Sequence, residues 1–155
     1  MRKFLLVIFL LLSSCSYALE LPDYVSEWQC VNENTTPLIL DANNENLGRI
    51  IYRDYVRESP KGSLQIILTE GKGTGNLYVP DSVNNSQGFM PPEGSYKILS
   101  ISGHKSILES QSFMPLVLAV SAGDNVILTI ESSSLNENEL VNFAEEILSS
   151  WSSTK

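Results

Sequence analysis

Few residues in this chain have side chains suited to covalent or acid–base chemistry. The sequence holds one histidine, His104, and two cysteines, Cys15 and Cys30. A single histidine excludes zinc sites built on two or more imidazoles, and a lone Cys30 excludes Cys₂ and Cys₄ sites once Cys15 is removed or lipidated. A Cys30–His104 dyad would offer a thiolate beside an imidazole base. His104 lies in an expected hairpin turn, however, where a polar residue needs no special cause, and Cys30 reads as a small buried apolar residue. Serines are plentiful, but no Gly-x-Ser-x-Gly elbow or Ser-x-x-Lys pair organises them, and any Ser-His-Asp triad would have to use His104. The carboxylates Glu70, Asp81, Glu93 and Glu109 are scattered with no spacing that favours an acid–base pair over solvation. No catalytic residue is assigned, and the chain is expected not to be an enzyme.

Two loops carry ligand-like spacing without the context such sites need. Gly71-Lys72-Gly73-Thr74-Gly75 suggests a phosphate cradle, which works when backbone N–H groups converge at the start of a helix. The run leads instead into Leu77-Tyr78-Val79-Pro80, a strand pattern with a stop, so it is expected to be a flexible hairpin tip or bulge. Asp41, Asn43 and Glu45 alternate like a calcium loop, but the sixth and twelfth places are Asn46 and Tyr52 instead of glycine and a carboxylate. The segment is expected to be a solvated turn. No metal and no cofactor are implied.

The segment from Pro80 to Ser95 is the best remaining candidate. Irregular stretches beyond about 12 residues are uncommon inside compact domains and are often functional. Phe89 and Met90 stand in it as large apolar residues among polar ones, and Phe113-Met114-Pro115 repeats the tripeptide Phe89-Met90-Pro91 at another strand break. Phe89, Met90, Phe113 and Met114 are therefore the expected rim of a groove for a ligand or partner. The competing reading folds them inward as a plug at the open end of the sheet.

The beginning of the chain addresses it outward. Arg2 and Lys3 precede an apolar run of roughly nine residues, Phe4 to Leu12, the length of a signal-peptide core and about half of a membrane span. Two cleavage readings compete. Leu12-Ser13-Ser14-Cys15 has the pattern of a lipobox, which makes Cys15 the lipidated first residue of a domain preceded by a leader of residues 1–14. Ser16-Tyr17-Ala18 fits the small-x-small rule of ordinary signal peptidase, which makes residues 1–18 the leader and Leu19 the first residue. The lipoprotein reading is preferred, although the fold begins by Leu21-Pro22 and leaves little tether. Either cleavage removes two of the 10 cations against 18 carboxylates, for a net charge near −10. Such a surface disfavours nucleic acid and anionic headgroups and favours cationic partners. With no later apolar stretch of about 18 residues, the mature chain is expected to be periplasmic or extracellular, without a membrane span, and anchored if at all through Cys15. Roughly 140 remaining residues can bury one ordinary core, so residues 19–155 are expected to form one domain.

The elements that would position these residues are mostly strands. Trp28 and Cys30 share a face of a first short strand, and Asn32 to Pro37 reads as a polar break before Leu38-Ile39-Leu40. Ile50 to Arg57 and Leu64 to Thr69 flank a turn at Ser59–Gly62, and Leu77 to Val79 reads as a short further strand. Tyr96–Ile101 with Lys105–Glu109, and Leu116–Ser121 with Val126–Glu131, read as two hairpins. One helix closes the chain. Asn136 and Glu139 form a capping box, Leu135 and Leu140 a hydrophobic staple, and Leu140, Phe143, Ala144, Ile147, Leu148 and Trp151 one apolar stripe. That stripe needs a sheet face to cover, so the expected fold is α+β, an antiparallel β-meander packed against a single C-terminal helix.

The C-terminal third, from Gly103-His104-Lys105 through Ala122-Gly123-Asp124-Asn125 and Thr129-Ile130-Glu131-Ser132 to Leu135–Ala144, resembles exported prokaryotic sheet-and-helix domains. In outline these are the lipoprotein-carrier and anti-sigma-associated domains of bacterial envelopes. The resemblance implies the architecture and the cell envelope, and it transfers no functional residue. Together these readings point to an envelope module that binds an apolar ligand, a lipid or a protein partner. A hydrolase whose site assembles only in space, and an accessory structural lipoprotein, are the alternatives. Replacing Phe89 and Met90 by serine is expected to weaken capture of the ligand or partner while leaving the domain folded. A fall of several degrees in melting temperature with capture unchanged would count against that reading.

Overall fold

The central strands of this chain place a large apolar residue at every second position, and the one face this creates has to be covered. In the computed structural model, which describes residues 19–39, 46–72, 74–75, 77, 94–111 and 115–152, eight strands meet that demand with a single helix. The strands are β1 (Tyr24–Val25), β2 (Trp28–Ile39), β3 (Asn46–Arg57), β4 (Gly62–Gly71), β5 (Gly94–Ile101), β6 (His104–Gln111), β7 (Leu116–Gly123) and β8 (Val126–Ser132), followed by α1 (Glu137–Ser152). All pairings are antiparallel and the sheet order is β1-β2-β3-β4-β8-β7-β6-β5. The fold is thus α+β, as expected, with the meander divided into two four-strand halves. Their last strands, β4 and β8, pair through Gln65–Glu131 to Glu70–Val126.

The inner face is the alternating one. Leu64, Ile66 and Leu68 on β4, Leu118 and Val120 on β7, and Leu128 and Ile130 on β8 are buried, as are Tyr55 on β3 and Leu108 on β6. They meet Leu140, Phe143, Ala144, Ile147 and Leu148 of α1 in one core. Trp28 and Tyr55 both approach Phe143 edge-on, with ring centroids 5.7 and 5.8 Å away. Burying side chains of this size stabilises by about 1.5–3 kcal/mol each before the cost of ordering them.

The sheet curls around the helix. Glu137 and Glu139, in the first turn of α1, form ion pairs with Lys97 of β5 and Arg57 of β3. Four strands lie between β3 and β5 in the sheet order. A flat sheet would hold these two strands about 24 Å apart, at roughly 4.8 Å per step, so the two halves must rise on either side of α1 for one helical turn to reach both.

Local signals account for the ends of the elements. Ser102 and Gly103 both have positive φ, 50° and 83°, the signature of the two-residue turn that matches strand twist. The β5–β6 hairpin is correspondingly tight, and His104, expected in the turn, is the first residue of β6. At the start of α1 the capping box closes reciprocally. Glu139 N donates to Asn136 Oδ1 and Asn136 N to Glu139 Oε2, each at 3.1 Å. Leu135 and Leu140 on either side of the cap are both buried, as a hydrophobic staple requires.

Three expectations need correction. Asn32 to Pro37 is no break: it is the middle of the twelve-residue strand β2, in register with Pro37↔Arg49 at one end and Asn32↔Asp54 at the other. Polar residues serve here because this length of β2 is exposed, and cross-strand pairs such as Asn32–Asp54 and Glu33–Arg53 hold it. Proline is tolerated on an open edge. In addition, β5 begins at Gly94, two residues inside the stretch read as irregular. Leu77 lies in no strand, and Tyr78 and Val79 fall outside the described residues.

Asn136→Ala removes the acceptor for one orphan N–H of α1 and is expected to cost about 1 kcal/mol. The check is a lower urea midpoint at unchanged slope, with the far-ultraviolet spectrum of the folded state preserved.

Candidate functional site

Beside α1, where the β1–β2 turn meets the first three turns of the helix, lies a surface cleft of about 380 Å³ lined by Ser26, Glu27, Trp28, Arg57, Glu139 and Glu146, with Asn142 and Phe143 completing its wall. The turn that forms one lip is a two-residue connection between Val25 and Trp28. It brings Ser26 into a positive φ of 50°, an uncommon conformation for a residue with a side chain. There the Ser26 hydroxyl donates to Glu146 Oε2 at 2.6 Å, tying the turn to the third turn of the helix.

Arg57 organises the floor. Its guanidinium lies 4.7 Å from the centre of the Trp28 ring, donates through Nε to Pro60 O at 2.8 Å, and pairs through Nη2 with Glu139 at 3.2 Å. Stacking, a carbonyl and a carboxylate together fix the side chain in one orientation. Glu139 accepts from the backbone N–H of Asn136 and from Arg57, and both interactions hold its carboxyl below the usual glutamate range. Around this one cation stand Glu27, Glu139 and Glu146, with Glu145 one residue before Glu146 on the helix. Helix α1 carries four glutamates and no Lys or Arg, so its C-terminal end has no side-chain cation of its own. The wall continues into a shallower depression lined by Ser26, Asn142, Glu145, Glu146, Ser149 and Ser150.

This arrangement can receive a cation. Its three hydroxyls are each committed to an acceptor: Ser26 donates to the Glu146 carboxylate, Ser149 to the carbonyl of Glu145 and Ser150 to that of Ile147. Among the described residues no group of three His, Cys, Asp or Glu side chains is placed to hold a metal ion.

The other candidates from the sequence are dispersed. Cys30 is half-buried against the core and its Sγ donates to Asn32 O at 3.3 Å. His104 lies across four intervening strands and toward the opposite end of the sheet, with Nδ1 3.0 Å from Ser121 O; the two are not brought together. Glu70 pairs with Arg49, and Glu109 accepts from the Tyr96 hydroxyl at 3.2 Å. The described residues of the glycine run are neither a hairpin tip nor a phosphate cradle. Gly71 N and Gly75 N donate to Asn125 O and Asp124 O, so the segment is laid against the β7–β8 turn. A Cβ on Gly75 would stand 1.9 Å from Gly123 O, which is why glycine is needed there. Phe89, Met90, Phe113, Met114, Cys15, Asp81, Glu93 and the Asp41–Glu45 turn lie outside the described residues.

Comparisons with protein-family models, with curated proteins and with solved structures return no match. Sequence reasoning missed this cleft because Ser26, Arg57 and Glu146 come from three elements far apart in the chain. The nearest signal was the unbalanced acidity of the C-terminal helix.

Replacing Glu139 by glutamine is expected to lower stability near pH 7. A depressed carboxylate contributes stability that is complete above its ordinary pKa of about 4.3 and is lost as pH falls through the depressed value. Urea midpoints of wild type and Glu139→Gln should therefore differ at neutral pH and converge at the acid end. A gap that is independent of pH would show that the charge on Glu139 is irrelevant.

Proposed function

We infer that this chain is a non-enzymatic binding module of the cell envelope, and that its partner is a protein presenting a basic segment to the exposed side of α1. The observation that carries this reading is the continuous acidic wall formed by Glu27, Glu139, Glu145 and Glu146 around two adjoining depressions, with Arg57 already committed to Trp28 and Glu139. A Lys or Arg side chain entering there meets carboxylates, and only in the shallower depression, beside Ser149 and Ser150, does it also near the electronegative end of the helix dipole. The negative charge of the whole chain steers cationic partners toward it. Placement in the envelope rests on the leader pattern at residues 2–18. Among the described residues no helix is long and apolar enough to cross a membrane.

Of the ligand classes expected from the sequence, the protein partner is favoured over an apolar molecule. The concave face of the sheet, the natural apolar receptacle of such a fold, is filled by the stripe of α1. Among the described residues, the large apolar side chains that stand exposed, Tyr24, Val31 and Ile98, lie on three different strands at the two edges of the sheet, and single residues of this kind are ordinary.

The test is titration with a flexible Lys/Arg-rich peptide, followed by fluorescence polarisation at low and physiological salt. Binding should weaken as salt rises, and Glu145→Lys with Glu146→Lys should weaken it about tenfold or more while leaving the helical signal unchanged. Binding that ignores both salt and the double substitution would refute the reading.

A further inference from the structure

The first described residues run along the inner face of the sheet as an extended strap, held by side chains in place of a neighbouring strand. Four successive carbonyls each accept from a different donor. Leu19 O accepts from Arg49 Nη2 at 3.1 Å, Glu20 O from Trp151 Nε1 at 2.8 Å, Leu21 O from Arg53 Nη1 at 2.6 Å and Pro22 O from the Tyr55 hydroxyl at 2.5 Å. Arg49, Arg53 and Tyr55 are inward positions of β3, and Trp151 is in the last turn of α1, so the strap lies between them. Burial raises the Tyr55 phenol above its ordinary pKa and keeps it a donor.

Leu19 is fixed in three ways at once. Its side chain packs against the core, its carbonyl meets Arg49, and its nitrogen donates to Glu70 Oε1 at 2.9 Å. The other oxygen of Glu70 is occupied by Arg49 Nε at 2.5 Å, so the carboxylate is shared between a guanidinium and the Leu19 nitrogen. In the sequence, Ser16-Tyr17-Ala18 places small residues three and one positions before that nitrogen, the pattern a signal peptidase cuts after.

We propose that the Ala18–Leu19 bond is the processing site of this protein and that Glu70, positioned by Arg49, is the receptor for the α-ammonium group that cleavage creates. Hydrolysis of that bond consumes one water, leaves the carboxylate on Ala18 and gives the amine to Leu19. The hydrogen bond already present from Leu19 N then becomes an ion pair in a partly buried setting. Lipidation at Cys15 fits the strap poorly. Only Ser16, Tyr17 and Ala18 would separate the acylated residue from Leu19, a reach of about 14 Å at full extension, and a domain of strong negative charge would be held against the bilayer surface.

The full-length chain expressed in a secreting bacterial host should yield a product whose intact mass corresponds to a first residue Leu19. A product starting at Cys15 with added acyl mass, or at any other residue, overturns the proposal. For the receptor, chains starting at Leu19 and at Ala18 are compared by urea unfolding. The Leu19 chain should be favoured by about threefold to tenfold in its folding equilibrium. That advantage should fade as pH rises above the range of the α-amino group, about 8, and vanish in Glu70→Gln. Should the Glu70→Gln chains fail to fold, the N-acetylated Leu19 chain keeps the donor and removes the charge, and it must lose the same advantage. Equal stability of the two starting points, or an advantage that survives removal of either charge, refutes the receptor.

Discussion

A helix of sixteen residues whose apolar stripe runs from Leu140 to Leu148 must be covered along its length, and no single four-strand meander is wide enough to do so from both sides. The structure answers by joining two meanders through β4 and β8 and curling the result around α1. Most of what the surface offers stems from this enclosure. The helix lies deep enough that its first turn reaches both halves of the sheet through Lys97 and Arg57, and only the side facing away from the core is left to carry charge.

That division of the helix generates both sites. On the outer side the glutamates have few cations to answer them, because Arg57 is held over Trp28 and the helix contains no Lys or Arg. At the inner end Trp151 closes over the strap and takes one of its carbonyls. Strap and cleft are linked through β3: Arg49, Arg53 and Tyr55 hold the strap, while Arg57, further along the same strand, anchors the cleft. One strand therefore sets the positions of two regions that are separate on the surface.

The parts legible in the sequence are those governed by short-range rules. The capping box, the staple, the stripe of α1 and the two C-terminal hairpins each depend on residues within a few positions of one another, and the structure shows all of them. Asn32 to Pro37 was misread because its polarity reflects an exposed position on β2, and exposure is a tertiary property that local composition does not carry. The strap was illegible for a related reason. Its donors lie roughly 30 to 130 residues away in sequence, and nothing in Leu19–Pro22 marks carbonyls that side chains will satisfy. The glycine run was noticed, but its use depends on a turn some 50 residues later, where Gly123 O leaves no room for a Cβ at position 75.

The seam between β4 and β8 also governs the order in which the molecule can assemble. Hairpins β1–β4 can zip from neighbours in sequence, yet the free side of β4 then presents Leu64, Ile66 and Leu68 in alternation beside unpaired backbone until β8 arrives, some 60 residues later in the chain. Such an edge is a template for other chains, and closing it late is slow because the loop between the partners is long. A chain is made from its N-terminus, so the vulnerable half is complete before β8 exists. Its survival depends on how fast the second meander arrives behind it.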